Sequence, residues 1–385
     1  MIKRKVENSL NKLEKWVEDH HYKGYDPADG LSSYLRPLTF GNLFLDRLLQ
    51  QLIWRSPINI RPILGVKPQA SFIARGYMAW GYLTRYKNTN DENYKQKAID
   101  CLEWLRANKA PGYEDYSWGK THDFASRGGR QGKYEPITIW TSLIGFAFLE
   151  AYEITKDKKH LDVAESICEW ILKVPRTQTP AGHCINYTPH DDGTCTIHNQ
   201  NMVAAAMLAR TYRHSGNKVL FEVASEAMKY SCTRQQPDGS WFYGEGPMWQ
   251  WIDNFHTGYN LDALKCYMES TNDKTYENHL KKGLEFYKHN FFEPTGRPKY
   301  YHNRAYPIDS QCISQSIETL ANFAEYDHQA PSLSTKVAEW AINNMQDKTG
   351  YFYYAQYPMY KLKVPFIHWA QATTHKALSL LLTKV

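Results

Sequence analysis

From Pro68 to the C-terminus the sequence repeats one unit at a period of roughly 55–68 residues, and a chain of this kind buries its apolar surface by stacking the units on one another. Each unit has an apolar helical stretch, a short polar turn, an amphipathic helical stretch, and a longer loop rich in aromatic residues, glycine and proline. The apolar stretches fall at about 69–87, 137–155, 198–214, 254–270, 310–326 and 366–383, and the amphipathic ones at about 92–108, 159–173, 217–231, 275–290 and 332–345. The segments YKNTNDENY, TKDKKHL, HSGNKVL, STNDKTY and DHQAPSL join them in pairs. A stretch such as Met202-Val203-Ala204-Ala205-Ala206-Met207-Leu208 belongs inside, because it is apolar all round; its more charged partners belong outside. Six inner helices and five outer ones leave one outer place, which an N-terminal helix fills if the array closes into a ring. Residues 1–67 therefore read as helices and an arm that close the ring, and 68–385 as the ring itself, in one domain overall.

The N-terminal MIKRKVENSLNKLEKWVEDHH is a polar amphipathic helix pattern without the apolar segment of a secretory signal. Residues 22–38, with Tyr22, Tyr25, Asp26, Asp29, Tyr34 and Arg36, are too aromatic for a free tail and too broken for a helix, and are expected to fold across the mouth of the ring or against its outer layer. A second helix is expected at about 43–54. No run of about 18 apolar residues exists, so no membrane span is expected. The net charge of +6 is small for the length, and there is no nucleic-acid motif. Seven cysteines, an odd number mostly within helical patterns, suit a reducing, cytoplasmic location. The 28 Tyr and 12 Trp exceed what a helical core needs, and the excess sits in the loops.

The repeat, the helix pairing and the loop motifs DGSWFY (238–243) and TGYFYY (349–354) resemble the six-hairpin toroid superfamily, the (α/α)6 barrels. The resemblance covers about 60–385 and implies an all-α toroid with short β-hairpins in its long loops. Members of that superfamily include unsaturated glucuronyl hydrolases, alginate and heparin lyases, N-acylglucosamine epimerases and C-terminal regions of glucuronyl C5-epimerases. No one of these families is matched, so none lends its catalytic residues to this chain.

In such a ring the long loops gather at one end, with the N-termini of the inner helices, and loops on a rigid scaffold carry function. The stretch from Gln235 to Tyr267 contributes most there. Asp253 is a plausible N-cap, and Asp253, His256 and Asn260 fall on one helical stripe. Asp253, His256, His198 and Tyr243 are the candidate catalytic residues. Asn199, Asn254, Asn260, Trp140, Trp241, Trp249, Arg127, Arg130, Glu245, Asp309, His368 and Trp369 are the candidate substrate-binding residues. Aromatic rings cover the apolar faces of pyranoses, while amides and imidazoles bond the hydroxyls, so the expected substrate is a saccharide.

Two chemistries suit this set. A lyase or C5-epimerase removes the proton next to a uronate carboxylate with a His or Tyr, and Arg127, Arg130 and Lys133 can hold the carboxylate. A hydrolase needs two carboxylates, for which Glu135, Glu245, Asp253 and Asp309 are candidates. His, Asn and Gln outnumber Asp and Glu at the expected mouth, which favours proton abstraction. A third class is a non-catalytic glycan-binding or assembly protein. No cofactor is expected; zinc at Cys184, Cys195 and His198 is the alternative, although the spacing is not that of a standard finger.

Overall fold

Four of the five hairpin turns follow one local recipe, in whole or in part. A Thr or Ser bonds back into the end of the inner helix, the next residue takes a left-handed conformation, and an Asp or Asn then caps the outer helix. Thr89, Thr155 and Thr271 donate to the carbonyls of Arg85, Ala151 and Tyr267. Asn90, Lys156, Gly216 and Asn272 have φ of 55°, 59°, 71° and 57°. Asp91, Asp157 and Asn217 cap the helices that follow. The computed structural model describes residues 2–191, 193 and 195–385.

The inner helices are α3 (Phe72–Thr89), α5 (Thr138–Thr155), α7 (His198–Ser215), α9 (Asn254–Thr271), α11 (Ser310–Asn322) and α13 (Thr373–Leu381). A π-helical turn, Ile367–Ala372, leads into α13. The outer helices are α4 (Glu92–Ala107), α6 (Lys158–Lys173), α8 (Lys218–Cys232), α10 (Glu277–Asn290) and α12 (Ala330–Met345). In the inner layer each helix packs on the next, and α13 packs on α3, so the ring closes. The sixth outer position is held by α1 (Ile2–Asp19), which lies on α12 and α13 and accepts His375 Nε2 with Glu14 at 3.0 Å. This is a six-hairpin toroid with one continuous apolar core through both layers.

Strands are short. β1 (Lys23–Gly24) pairs with β2 (Gln69–Ala70), β3 (Phe124–Ser126) with β4 (Gly129–Gln131), and β5 (Arg176–Thr179) with β6 (Gly182–Ile185), while β7 (Ile308–Asp309), β8 (Ala355–Gln356) and β9 (Lys361–Leu362) form a small sheet; all pairings are antiparallel. The first inner helix starts at Phe72, not at 69, because Gln69 and Ala70 are taken by β1.

The arm lies across the mouth. Tyr25 bridges Phe366, just before the π turn. Arg61, fully buried, ties the arm together by bonds to Asp29 Oδ1 (2.7 Å) and the Asp26 carbonyl (3.2 Å), with its guanidinium 4.7 Å from the Phe366 ring. Next to it, α2 (Leu43–Arg55) is clamped to the β3–β4 hairpin by both amide atoms of Gln50 on the backbone of Ala125.

Candidate functional site

The short turns connect inner to outer helices and the long loops connect outer to inner ones, so the loops and the N-termini of the inner helices share one end. At the start of α9, Asp253 caps the helix by accepting His256 N–H on Oδ1 at 3.0 Å. Its Oδ2 lies 2.6 Å from His256 Nδ1 and accepts Trp251 Nε1–H at 2.8 Å. A carboxylate only accepts, so Nδ1 carries a proton, and Nε2 presents a lone pair whenever the ring holds no second proton. That Nε2 has no hydrogen-bond partner among the described residues. The Asp253 side chain is fully buried, whereas 17% of the His256 side chain is exposed. The Tyr243 ring lies 4.3 Å from the imidazole and stacks on Trp251 at 4.5 Å. Burial pushes the Tyr243 phenol well above its ordinary value, so at neutral pH it donates a proton and does not accept one. Sequence spacing put Asp253, His256 and Asn260 on one stripe; the structure shows Asp253 bonded to His256, with Tyr243 of the preceding aromatic loop against the imidazole.

Deeper in, Tyr77 of α3 and Tyr259 of α9 meet hydroxyl to hydroxyl at 2.6 Å, and Gln311 Nε2 donates to Tyr259 at 2.9 Å. These helices face each other across the ring, so the tyrosine pair spans the lumen and floors the mouth. Near this level lie five buried polar atoms without a partner among the described residues: Asn199 Oδ1, Asn260 Oδ1, Gln311 Oε1, His368 Nδ1 and Trp369 Nε1. Asn199 shares a helical stripe with Val203 and Arg210, which line the lumen further down. An unpaired buried polar atom costs about 1–3 kcal/mol. A hydroxyl-rich ligand supplies what these atoms lack. His368 packs against Trp140 at 5.2 Å and Tyr77 at 5.8 Å.

Sequence reasoning missed a buried charge cluster under the arm. Asp26 comes from the arm, Lys120 and His122 from the SWGKTH loop, and His368 from the π turn; all four are buried. Gly119 admits that loop beneath the start of α5, since a Cβ there would lie 1.8 Å from the Glu135 carbonyl oxygen. The Lys120 ammonium sits 4.4 Å above the Trp140 ring and 4.8 Å above Phe124. Burial pushes Lys120 down, with Asp26 opposing. Asp26 sits well below the ordinary carboxylate range: burial works against this, and Lys120 and His122, the latter at 3.5 Å, outweigh it. Burial drives His368 down to about 3, so its ring is neutral. The local signal available was the Lys-x-His spacing after Trp118; its partners come from the two ends of the chain.

Other sequence candidates fall elsewhere. Asn254 faces the outer layer, accepting Tyr287 OH at 2.8 Å and Ser316 OH at 3.1 Å. Trp241 is core, its Nε1–H bound to the Ser231 carbonyl at 3.0 Å. His198 has both nitrogens engaged, by Ser231 at 3.2 Å and Glu245 at 2.7 Å, and Glu245 also meets Arg234 at 3.4 Å. The His198 bond is the first cause holding the Glu245 carboxyl below its usual value. Asp309 caps α11 through Cys312 N–H at 2.8 Å and is pushed up to about 6 by burial. Trp249 lies at the rim, 6.0 Å from Tyr243, and Trp369 packs on Phe255 at 6.0 Å. Arg130 is tied to Asp46 at 2.8 Å, and Arg127 is exposed on the same hairpin. Cys184 is buried, which pushes its thiol up. No group of three His, Cys, Asp or Glu among the described residues is placed to hold a metal ion.

A cavity of about 330 Å³ is at the other end of the ring, below Tyr259. Its charges largely neutralise one another: Lys87 and Arg210 with Glu150 (2.8 and 2.7 Å), Arg213 with Glu153 (2.7 Å), and Lys376 with Glu318 (2.5 Å). Asp262 there takes three neutral donors, Gln315, Thr319 and Asn322, at 2.6, 2.8 and 3.0 Å. The mouth, with its oriented imidazole and unpartnered polar atoms, is the better candidate site.

No protein-family model matches the chain, and no curated protein matches it. Solved structures of the same architecture do. A cellobiose 2-epimerase from Bacillus thermoamylovorans superposes with a TM-score of 0.66 at 12% identity, over 83% of this chain and 90% of its own. A D-mannose isomerase gives 0.62 at 13%, over 82% and 87%. A GH76 alpha-mannanase from Bacteroides thetaiotaomicron gives 0.63 at 10%, over 82% and 86%. At these identities the likeness establishes the toroid fold.

Proposed function

We propose that this protein is a carbohydrate-active enzyme that removes a proton next to the carboxylate of a uronic-acid residue, with His256 as the base. The observation that carries the reading is the 2.6 Å contact between Asp253 and His256, which leaves an unpartnered Nε2 at an aromatic mouth. Nε2 takes the proton on C5, and the electron pair moves into the carboxylate. Arg304, whose guanidinium lies 4.0 Å from the Tyr301 ring beside Asp253, supplies positive charge for the enolate. Tyr301, raised by burial and by Asp253, keeps its proton and can return one from another direction, giving the epimer; expulsion of the C4 substituent instead gives an unsaturated product. The epimerase and isomerase likenesses support an enzyme that acts on a sugar. The mannanase likeness supports a second reading, hydrolysis, in which Asp309, pushed up to about 6, is the acid.

The test is incubation with uronate oligosaccharides in D₂O. Deuterium at C5, absent with His256→Gln, supports the proposal. An unsaturated uronate that absorbs in the ultraviolet, also absent with His256→Gln, supports the proposal by its elimination branch; new reducing ends with neither deuterium nor unsaturation support hydrolysis, and the absence of both deuterium and unsaturation with every uronate substrate refutes the proton-abstraction reading.

A further inference from the structure

The helix α2 is built inside out. Its polar residues Asp46 and Gln50 are 1% and 0% exposed, while Phe44 and Leu52 are 68% and 62% exposed and Leu48 is 45%. Apolar side chains normally face the core and polar ones the water. Here Asp46 is consumed by Arg130 and Thr39, and Gln50 by Ala125, so the helix is held by a buried face that is polar except for Ile53. The apolar stripe continues onto the flanking turns, with Phe40, Ile58 and Ile63 exposed at 87%, 69% and 73%. Single exposed leucines need no explanation; a contiguous stripe with aromatic tips does.

A second feature adjoins it. A groove of about 320 Å³ runs between α2 and the β3–β4 hairpin, and Arg47, Arg55 and Arg127 line it with no acidic residue. From Gly30 to Gln69 the one acid is Asp46, already buried and paired. Arg47 and Arg55 make no ion pair among the described residues. An apolar stripe edged by unpaired arginines matches the boundary between acyl chains and anionic headgroups. A second copy fits worse, because a two-fold contact would set the same basic rim against itself. No helix among the described residues is long and apolar enough to cross a membrane, so the contact is peripheral.

We infer that α2 and its flanking turns seat this protein on an anionic lipid surface, with phospholipid phosphates in the Arg47–Arg55–Arg127 groove. The test is co-sedimentation of the full chain with vesicles of phosphatidylcholine alone and of an equimolar phosphatidylcholine–phosphatidylglycerol mixture. Wild type should pellet with the mixture, less so as salt rises, and stay in solution with phosphatidylcholine alone. Leu48→Ser and Leu52→Ser should each weaken partitioning about tenfold, and Arg47→Glu and Arg55→Glu at least about fivefold each. Leu48, Leu52 and Arg55 are exposed and Arg47 is half-buried without an ion pair among the described residues, so melting temperature should hold. At equal ionic strength inorganic phosphate should release no more of the bound protein than chloride does, because the apolar stripe remains inserted. No pelleting with the anionic vesicles, equal pelleting of the serine variants, or greater release by phosphate than by chloride overturns the inference. So does sedimentation equilibrium that finds a wild-type dimer made monomeric by Leu48→Ser, since a second copy would then cover the face.

Discussion

Asp253→Asn separates geometry from chemistry at the mouth. The Asn side chain keeps an oxygen for the His256 N–H, now 3.0 Å from Oδ1, and Asn caps helices about as well as Asp. The amide nitrogen then stands where Oδ2 accepts from His256 Nδ1 at 2.6 Å and from Trp251 Nε1 at 2.8 Å. It donates to Nδ1, which forces the imidazole proton onto Nε2, and it leaves the indole N–H without an acceptor. One lost bond to a charged acceptor and one orphaned donor amount to about 1–3 kcal/mol. For a chain of 385 residues that is a fall of about 1–4 °C in melting temperature. Turnover should fall far more, by about 10²–10⁴-fold, because Nε2 becomes a donor and cannot take a proton. Calorimetry and deuterium wash-in on the same preparations compare the two effects, and long-range ¹H–¹⁵N spectra report the His256 tautomer directly. A folded Asp253→Asn that keeps turnover within about tenfold of wild type, with the proton seen on Nε2, refutes the role given to His256.

Four further outcomes follow from packing and charge. Gly239 has φ of +91° and lies against the Lys282 carbonyl, which a Cβ would meet at 2.4 Å, so Gly239→Ala should destabilise by about 2–5 kcal/mol in denaturant melts. Arg61→Met leaves Asp29 buried without its 2.7 Å partner and should cost about 3–5 kcal/mol, much of it recovered by Asp29→Leu in the same chain. Asp262 is raised from 3.8 to about 7 by burial and by Glu318, so the folded state holds a proton that the unfolded state releases; this contribution is full below about pH 4 and is lost as pH rises through 7. Glu153 is the opposite case: burial resists the shift, but Arg210 and its neighbours hold it down to about 2, so its contribution is present above its ordinary value of 4.5 and lost as pH falls through 2. Thermal melts of Asp262→Asn from pH 4 to 8 should decline less steeply than wild type.

The ring was legible because its causes are local: four of the five short turns carry most of a hydroxyl, a left-handed residue and a capping side chain within a few positions, and the inner helices are buried nearly all round. The Asp253–His256 pair was legible for the same reason, since residues three apart on a helix must be neighbours. All-round burial also explains what could not be read. On α9 it hides which face looks into the lumen, so Asn254 and Asn260 look alike in sequence although one bonds Tyr287 and the other lies near the mouth's floor with an unpaired oxygen. The cluster of Asp26, Lys120, His122 and His368 depends on contacts between segments hundreds of residues apart. On α2 periodicity marks a stripe without saying which way it turns.

The tyrosine pair across the lumen makes the ring a cup, not a tube. Tyr77 and Tyr259 stand in the second turns of α3 and α9, so the bar sits high, close to the loops. A polymer cannot be threaded past it and drawn out at the far end. Whatever enters leaves by the same door, and each product must clear the rim before the next unit is seated. Conversion of a long chain at such a site is distributive: intermediates accumulate in solution, and a trap of excess unlabelled polymer added after the first turnover should stop further modification of the labelled chains.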